Sequence, residues 1–312
     1  MTDQANFDVC AVVVTYNRSR LLLACLHALA KQTHRPGHIL VVDNASTDGT
    51  VDALREAGWM DDATFSLLRL SENTGGAGGF EAGISRALAL GANWVWLMDD
   101  DALPRSQALE ALLDGRPDPY SIYGSVAIQG SKLAWPMQRV DQPGSARIED
   151  LVHTPVSCEV RFLPFLGFLI SADMIHRIGL PDGSFFLAAD DVEYCLRARR
   201  AGAAIRLVGT SVIEHPLARL TCLRLGRVRI YNLKLAPWKR YYDVRNRLIV
   251  ARRHHGRALW YSTIPSTLLR LLLTLLTERE RIAQCKAFVG GFIDGLLDKR
   301  GRRHEVWLGS RR

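Results

Sequence analysis

Asp99-Asp100-Asp101 stands directly after the apolar run Trp94-Val95-Trp96-Leu97-Met98. Three adjacent carboxylates repel one another, and at the end of a buried strand they are tolerable only with something cationic among them. Oxygen ligands of this kind suit a hard divalent cation such as Mg²⁺ or Mn²⁺. Held there, such an ion could neutralise a diphosphate and stabilise it as a leaving group. The competing reading is an acidic loop that caps a helix starting near Ser106. A second feature is Asn73-Thr74-Gly75-Gly76-Ala77-Gly78-Gly79-Phe80, glycine-rich and opening a helix. Glycines let backbone approach a ligand closely, and a helix N-terminus attracts phosphate. The segment is not a dinucleotide fingerprint, because Glu81 stands where a third glycine belongs and the first strand-to-helix turn has no glycine. Tight packing of helix on sheet would explain the same glycines.

These residues need a scaffold, and the first hundred positions supply one. Val9 to Val14 is a nearly continuous apolar run, as for a strand buried on both faces. Leu21 to Ala30 reads as a helix with Ser19 as its N-cap. Ile39 to Val42 is a second strand, and Thr47 or Asp48 can cap a short helix through Ala57. Phe65 to Leu70 is a third strand, Ala77 to Leu90 a helix and Trp94 to Met98 a fourth strand. This rhythm predicts an α/β fold with a parallel sheet and helices on both faces. Ligands in such sheets sit beyond the carboxyl ends of the strands. Polar clusters fall at that edge after all four strands: Thr15 to Arg18, Asp43 to Ser46, Asn73 to Gly76 and the Asp99 triplet. Further on, Tyr123 to Ile128, Val160 to Phe162 and Phe168 to Ser171 read as short strands. Asp191 to Ala201 is a helix, and Ile205 to Ile213 is an extended run ending at Glu214-His215-Pro216.

Composition places the 312-residue chain among folded proteins: 48% of residues are hydrophobic and 23% charged. Charge is unevenly spread. Residues 1–200 carry 17 Lys and Arg against 25 Asp and Glu, whereas residues 201–312 carry 23 against 7. The C-terminal third should therefore face something anionic: a phospholipid surface, a pyrophosphate-bearing substrate or nucleic acid. The alternative is a solvated basic face. Cys10, Cys25, Cys158, Cys195, Cys222 and Cys285 form no C-x-x-C pair, which argues against a zinc ribbon or thioredoxin-like site. They read as buried apolar residues in a reducing compartment. The N-terminus from Met1 to Asp8 has neither a basic nor an apolar signal region, so the catalytic part is expected in the cytosol.

Taken in order, Val12-Val13-Val14-Thr15-Tyr16-Asn17-Arg18, Val41-Val42-Asp43-Asn44-Ala45-Ser46-Thr47-Asp48-Gly49-Thr50, Asn73-Thr74-Gly75-Gly76, the Asp99 triplet and Asp190-Asp191-Val192-Glu193-Tyr194-Cys195-Leu196-Arg197 resemble glycosyltransferase family 2. The likeness runs from residue 9 to about 215. It implies a GT-A fold, Rossmann-like, with a mostly parallel sheet flanked by helices. It further implies that Thr15, Tyr16, Asn17, Asp43, Asn73, Gly75, Gly76, Asp99 and Asp100 bind a nucleotide-sugar donor. Asp43 at its position could accept from the imide N–H of uracil or thymine, which favours a UDP or dTDP donor. Asp99 and Asp101 match the family's metal-binding carboxylates, and His215 would complete the site around Mn²⁺ or Mg²⁺. Asp191 matches the general base that takes a proton from the acceptor hydroxyl, with Asp190 the competing candidate. Repulsion within that pair would raise the proton affinity of one member, as suits a base. An N-cap plus a first-turn acid favoured by the helix dipole would account for the same two residues and is compatible with catalysis.

Gly75 to Phe80, together with Trp94 to Asp101, also resembles bacterial galactofuranosyltransferases and related rhamnosyltransferases that elongate lipid-linked cell-surface glycans. Tyr241-Tyr242-Asp243-Val244-Arg245-Asn246-Arg247 resembles a further segment of that group. Arg245 and Arg247 could there bind the pyrophosphate of a polyprenyl-linked acceptor, because guanidinium pairs well with phosphate. The acceptor is expected between the base helix, Pro164-Phe165-Leu166-Gly167 and the C-terminal helices. The domain reading is a GT-A unit over 1–220 and a basic helical region over 221–312 that contacts acceptor, membrane surface or both.

Within that region Ala258 to Leu276 is mostly apolar but holds Pro265 and Arg270. A mid-span arginine is costly unless paired, so a helix lying on the membrane is preferred over a span. Ile282 to Leu297 reads as a second amphipathic segment. A helical subdomain packed on the core is the alternative to membrane contact. The expected placement is peripheral, on the inner face of the plasma membrane. Trp135, Trp238 and Trp260 could stack on sugars, though packing explains each better. Two other classes of protein compete with this reading. A basic membrane- or nucleic-acid-binding protein on an inactive scaffold fits the tail, but the aspartates at the sheet edge would repel a polyanion, and no nucleic acid is expected. A nucleotidyltransferase lacks the phosphate loop it would need after the first strand. The sequence leaves a homo-oligomer open.

Overall fold

The computed structural model describes residues 8–140, 147–225 and 228–309, with backbone alone for 222–231. The Met1–Phe7 segment and the Cys222 side chain, on which two of the sequence readings rest, lie outside the described residues.

Strand β1 (Val9–Thr15) is buried at all seven positions, as its unbroken apolar run requires. It pairs in parallel with β2 (His38–Asp43) and β4 (Trp94–Asp99), and β2 pairs in parallel with β3 (Phe65–Arg69). The order β3-β2-β1-β4 makes β1 central. Alternate side chains of β1 serve opposite faces. Val12 and Val14 pack with Phe80, Ile84 and Ala87 of one helix, and Ala11 and Val13 pack with Leu22, Leu26 and Leu29 of another. These helices are α3 (Gly75–Ala89) and α1 (Ser19–Ala30). Each offers an apolar stripe, which is why the sheet is covered on both sides. Ser19 is not the N-cap of α1: that position is Arg18, and the Ser19 N–H donates to Asp48 Oδ2 at 3.1 Å. Helix α2 (Thr50–Glu56) starts after Gly49, with Asp48 Oδ1 accepting from the Thr50 N–H.

Beyond β4 the sheet ceases to be purely parallel. It continues through β5 (Leu103–Pro104), helix α4 (Ala108–Leu113), β6 (Ile122–Gln129), β7 (Lys132–Gln138), β8 (Arg147–Asp150), β9 (Ser157–Glu159) and β10 (Phe168–Ser171). Strand β10 inserts antiparallel between β4 and β6. Helices α5 (Ala172–Ile178) and α6 (Asp190–Arg200) then lead into β11 (Ile205–Glu214), parallel to β6. The pairing of β11 with β6 brings Glu214 and the following His215 to the edge that carries the end of β4.

The C-terminal region does not begin as helix. Strands β12 (Leu220–Leu225) and β13 (Val228–Leu233) form an antiparallel hairpin. Helices α7 (Pro237–His254), α8 (Ile264–Thr277), α9 (Arg281–Leu296) and α10 (His304–Leu308) follow. Val244, Leu248 and Ala251 of α7 form a small core with Phe288 of α9 and Leu259. One π-helical turn, Leu259–Thr263, precedes α8. By length and composition alone the stretch Leu259–Thr277 is apolar enough to cross a membrane. Most of it is not buried within the protein, with Trp260 65% and Tyr261 74% exposed.

Candidate active site

The carboxyl ends of β1 and β4, the start of α3, the start of α6 and the faces of α7 and α8 enclose one cleft of about 1500 Å³. The Asp99 triplet lies on its sheet side. Asp100 is buried, and its carboxylate accepts from Thr15 Oγ1 (2.8 Å) and Arg18 Nη1 (3.1 Å). Arg18 Nη1 also reaches Asp101 Oδ2 at 3.0 Å. The other oxygen of Asp101 lies 3.3 Å from His215 Nε2. His215 Nδ1 donates to the Pro216 carbonyl at 2.7 Å, which orients the ring so that Nε2 faces the carboxylates. The cationic company that three carboxylates require is thus supplied within the chain by Arg18 and His215.

Burial above all, then the charges of Asp101 and Asp100, push the Asp99 pKa up to about 8. Burial pulls the His215 pKa down, but its hydrogen bond to Asp101 and the field of that carboxylate outweigh it, and the net shift is upward. Two carboxylates and an imidazole facing one cleft form a donor set that suits Mn²⁺ or Mg²⁺. Among the described residues, however, no three such side chains are gathered closely enough to hold a metal ion as they stand; Asp101 and His215 are the pair that meets, at 3.3 Å.

The loop before α3 is built by Asn44, which the quoted motif contains without a role. Its Nδ2 donates to the Gly75 carbonyl (2.7 Å) and its Oδ1 accepts from the Thr74 N–H (2.8 Å). Gly75 has φ +75, and a Cβ there would collide with the Phe186 carbonyl. Gly79, in contrast, packs on β1: a Cβ would lie 2.5 Å from Val14 Cγ1. The glycine-rich segment thus serves both readings, loop at one end and helix packing at the other. Gly75→Ala should lower stability by about 2–3 kcal/mol through strain and overlap; the midpoint of a denaturant titration with unchanged slope measures it.

Tyr16, Asn73, Gly75 and Gly76 line the cleft with Thr15 and Asp99. Asn17 and Asp43 are not among its lining residues. Asn17 shapes the loop, with its N–H on Ser46 Oγ (2.9 Å) and its Oδ1 on the Thr47 N–H (2.7 Å). Asp43 is fully buried. Its Oδ1 accepts from the Ser46 N–H at 2.9 Å, while Oδ2 has no hydrogen-bond partner and lies 3.5 Å from the half-exposed Arg69.

Across the cleft, Asp190 and Asp191 open α6. Asp190 is 7% exposed; Asp191 is more accessible and accepts the Val192 N–H on Oδ1 (2.7 Å). Burial raises the proton affinity of both, helped by the charge of Glu193 at Asp190 and by that of Asp190 at Asp191. Helix α6 is locked from behind: buried Glu193 pairs with Arg197 (2.8 Å), Arg253 (3.1 Å) and His254 (3.0 Å). The segment before it is strained, with positive φ at Phe186, Ala188 and Ala189. It is held by α7. Asn246 Nδ2 donates to the carbonyls of Phe185 (3.0 Å), Leu187 (2.8 Å) and Ala188 (2.8 Å). Arg245 donates to the carbonyls of Phe185 (2.7 Å) and Gly301 (2.6 Å) and stacks on Tyr242.

That placement removes Arg245 from the acceptor expectation. Its guanidinium is fully buried, does not line the cleft and is spent on backbone carbonyls. Arg247, two residues on, does line the cleft and pairs with Asp243 at 2.8 Å. Phe165 and Leu166 line it as expected, but Gly167 does not. At φ +75 it packs under Ser125 and Ile213 and turns the chain into β10. Trp135 and Trp238 also face the cleft, whereas Trp260 is an exposed side chain. Cys10, Cys25, Cys158 and Cys195 are buried side chains, as their reading as apolar residues expects. Arg18, Asn44 and Asn246 are the residues the sequence reading missed. Each sits inside a quoted motif, but nothing in a linear motif says which polar group aims at which.

An acidic strand end facing an acidic helix start across a cleft, on a sheet that is parallel at its centre, defines a glycosyltransferase of the GT-A fold. Residues 10–161 match the model described as glycosyl transferase family 2. Galactofuranosyltransferase GlfT1 of Mycobacterium tuberculosis (strain ATCC 25618 / H37Rv) is 32% identical over 259 residues, 77% of this chain and 81% of the relative. The dTDP-rhamnosyl transferase RfbF of Shigella flexneri is 25% identical over 303 residues, 93% and 96% of the two chains. The structure of mannosyltransferase PcManGT from Pyrobaculum calidifontis with GDP-Man and Mn²⁺ superposes with a TM-score of 0.57 at 16% identity, covering 94% of this chain and 88% of that one. The chain belongs to glycosyl transferase family 2.

Proposed function

We propose that this glycosyltransferase moves galactofuranose from UDP-galactofuranose, with inversion, onto a hydroxyl of a growing polyprenyl-pyrophosphate-linked cell-surface glycan. The observation that carries the reading is the meeting, in one cleft, of Asp99, Asp101 and His215 with Asp191. Asp191 accepts the proton of the acceptor hydroxyl as that oxygen attacks the anomeric carbon. The bond from that carbon to the diphosphate oxygen breaks, its electron pair leaves with the nucleoside diphosphate, and configuration inverts. Thr15, Tyr16 and the Asn73–Gly76 loop hold the nucleotide. Asp43 Oδ2, left without a hydrogen-bond partner, suits the imide N–H of a pyrimidine once Arg69 moves aside. Asp99, Asp101 and His215 would hold a divalent cation, which when bound spreads the charge developing on the leaving diphosphate.

The basic region 221–312 forms the acceptor wall and rests on the cytoplasmic face of the membrane, its exposed apolar helices against the lipid. A second reading, transfer of rhamnose from dTDP-rhamnose, is favoured by the likeness to RfbF along nearly the whole chain. Titration calorimetry with Mn²⁺, using Asp191→Asn to suppress turnover, separates the two. UDP-galactofuranose should bind at least about tenfold tighter than dTDP-rhamnose or UDP-glucose, a difference of about 1.4 kcal/mol. Chelation or Asp101→Ala should remove that binding. Preference for dTDP-rhamnose would replace the first reading, and no binding in a folded protein would remove both.

A further inference from the structure

Arg270 interrupts an otherwise apolar helix, and the donor chemistry makes no use of it. It stands on the inward side of α8 with buried Thr267, Leu273 and Thr274. Leu268, Leu272 and Leu276 form a stripe on the other side and are 53%, 54% and 65% exposed. The guanidinium lines the cleft, partly buried, with no hydrogen-bond or ion-pair partner among the described residues. Its nearest source of negative field, Asp243, is already committed to Arg247 (2.8 Å) and Arg240 (3.4 Å). Arg240 has Glu278 as well, at 3.0 Å. The buried Nε of Arg247 has no partner either. Three guanidiniums thus share two carboxylates, and Lys286 of α9 also lines the cleft.

A half-buried cation without a counter-ion is costly to maintain. The cost is recovered when an anion binds, and forked guanidiniums match phosphate oxygens best. The cation-assisted pocket at Asp99 and Asp101 takes the donor's diphosphate, so a second anion site on the opposite helices belongs to the other substrate. We propose that Arg270 and Arg247 form a diphosphate-binding subsite for the acceptor, placed so that an attached lipid leaves along the exposed leucine stripe of α8. The proposal rests on the reading of the acceptor as a diphosphate-linked glycan; it keeps Arg247 from the Tyr241–Arg247 motif and puts Arg270 of α8 in place of the buried Arg245.

The test uses the full chain and three probes: undecaprenyl diphosphate in phosphatidylcholine vesicles, inorganic pyrophosphate without divalent cation, and UDP with Mn²⁺. The parent should bind the lipid diphosphate, and Arg270→Gln should weaken that binding about tenfold, as for loss of one charge-assisted contact. Arg270→Lys should lose less than Arg270→Gln, and Arg247→Gln should also weaken it, which keeps the test open if one variant folds poorly. UDP binding should be unchanged in all three variants; it reports the donor site, so a wrong donor reading shows itself separately. If pyrophosphate responds to Arg270→Gln as strongly as the lipid does, the diphosphate alone supplies the recognition. If only the lipid responds, the leucine stripe contributes; both results support the subsite. Equal binding of the lipid by parent and Arg270→Gln overturns it, and so does a parallel tenfold loss of UDP binding, which would give the arginines to the donor.

Discussion

Asp191→Asn is expected to lower the transfer rate by about 10³-fold while leaving donor affinity within about twofold of the parent. Asn keeps the shape and can still accept the Val192 N–H, so α6 retains its first turn. What it loses is the ability to take a proton. Asp190→Asn should cost far less, about tenfold, because Asp190 is the more buried of the two and acts on Asp191 through repulsion. Single-turnover transfer in the two variants, with donor binding measured alongside, decides which carboxylate is the base. A larger loss in Asp190→Asn would exchange their roles.

The same pair sets a pH signature. Burial first, then the field of Asp190, holds Asp191 above the ordinary carboxylate range. The base works only when ionised, so kcat in the parent should fall as pH drops through that raised value, at a pH well above that of an exposed aspartate. Stability runs the other way. A carboxyl whose pKa is raised on folding holds more protons folded than unfolded between the two values, so stability falls as pH rises through that window. Asp191→Asn removes this penalty and should melt higher than the parent near neutral pH. Thermal melts across pH give the readout; identical curves would mean that the pair is not strained in solution.

Asn246→Ala should reduce kcat about a hundredfold, the scale expected when a reacting group is misplaced by about 1 Å, with little change in donor affinity. Its amide holds three carbonyls of the strained segment just before Asp190, and its Oδ1 receives Arg245 Nε at 2.8 Å. Without it these groups are buried with fewer partners, at a cost of about 2–3 kcal/mol. Phe186, Ala188 and Ala189 would relax from their positive φ values and carry the start of α6 with them. Asn246→Gln should not rescue, because one extra methylene displaces the amide from all three carbonyls. A structural role alone would lower stability and leave kcat per folded molecule intact; steady-state rates corrected for folded fraction, with the pH profile of kcat, separate the cases. The profile should shift in Asn246→Ala, since the surroundings of Asp191 change.

The C-terminal helices therefore form one wall of the cleft and hold the segment that carries Asp190 and Asp191. Arg245 and Asn246 on α7 reach back to the base segment, and Arg253 and His254 reach Glu193 behind it. As a linear motif, the segment from Tyr241 to Arg247 offers both arginines to the acceptor. The structure divides them. Helical periodicity places Arg245 and Arg247 on different sides of α7, so one is buried against the base loop while the other faces the cleft.

Local pattern by itself determined the parallel strands β1 to β4, the two-sided burial of β1 and the four polar strand ends. Each depends on runs of a few residues whose apolar period has one solution. The carboxylates after β4 and at the start of α6 were legible for the same reason: like charges in adjacent positions need a special setting wherever the chain goes. Tertiary structure alone decided which cations meet them. Arg18 and His215 reach Asp101 from loops about eighty and one hundred residues away in the chain, and no spacing rule spans a sheet crossover. It also decided the fate of each arginine, because a guanidinium's role depends on which carbonyls, carboxylates or open space surround it after packing. Arg270 read in sequence as a cost inside an apolar helix. In the fold it is the inward face of that helix, in the lining of the cleft, beside an Asp243 already held by Arg247 and Arg240.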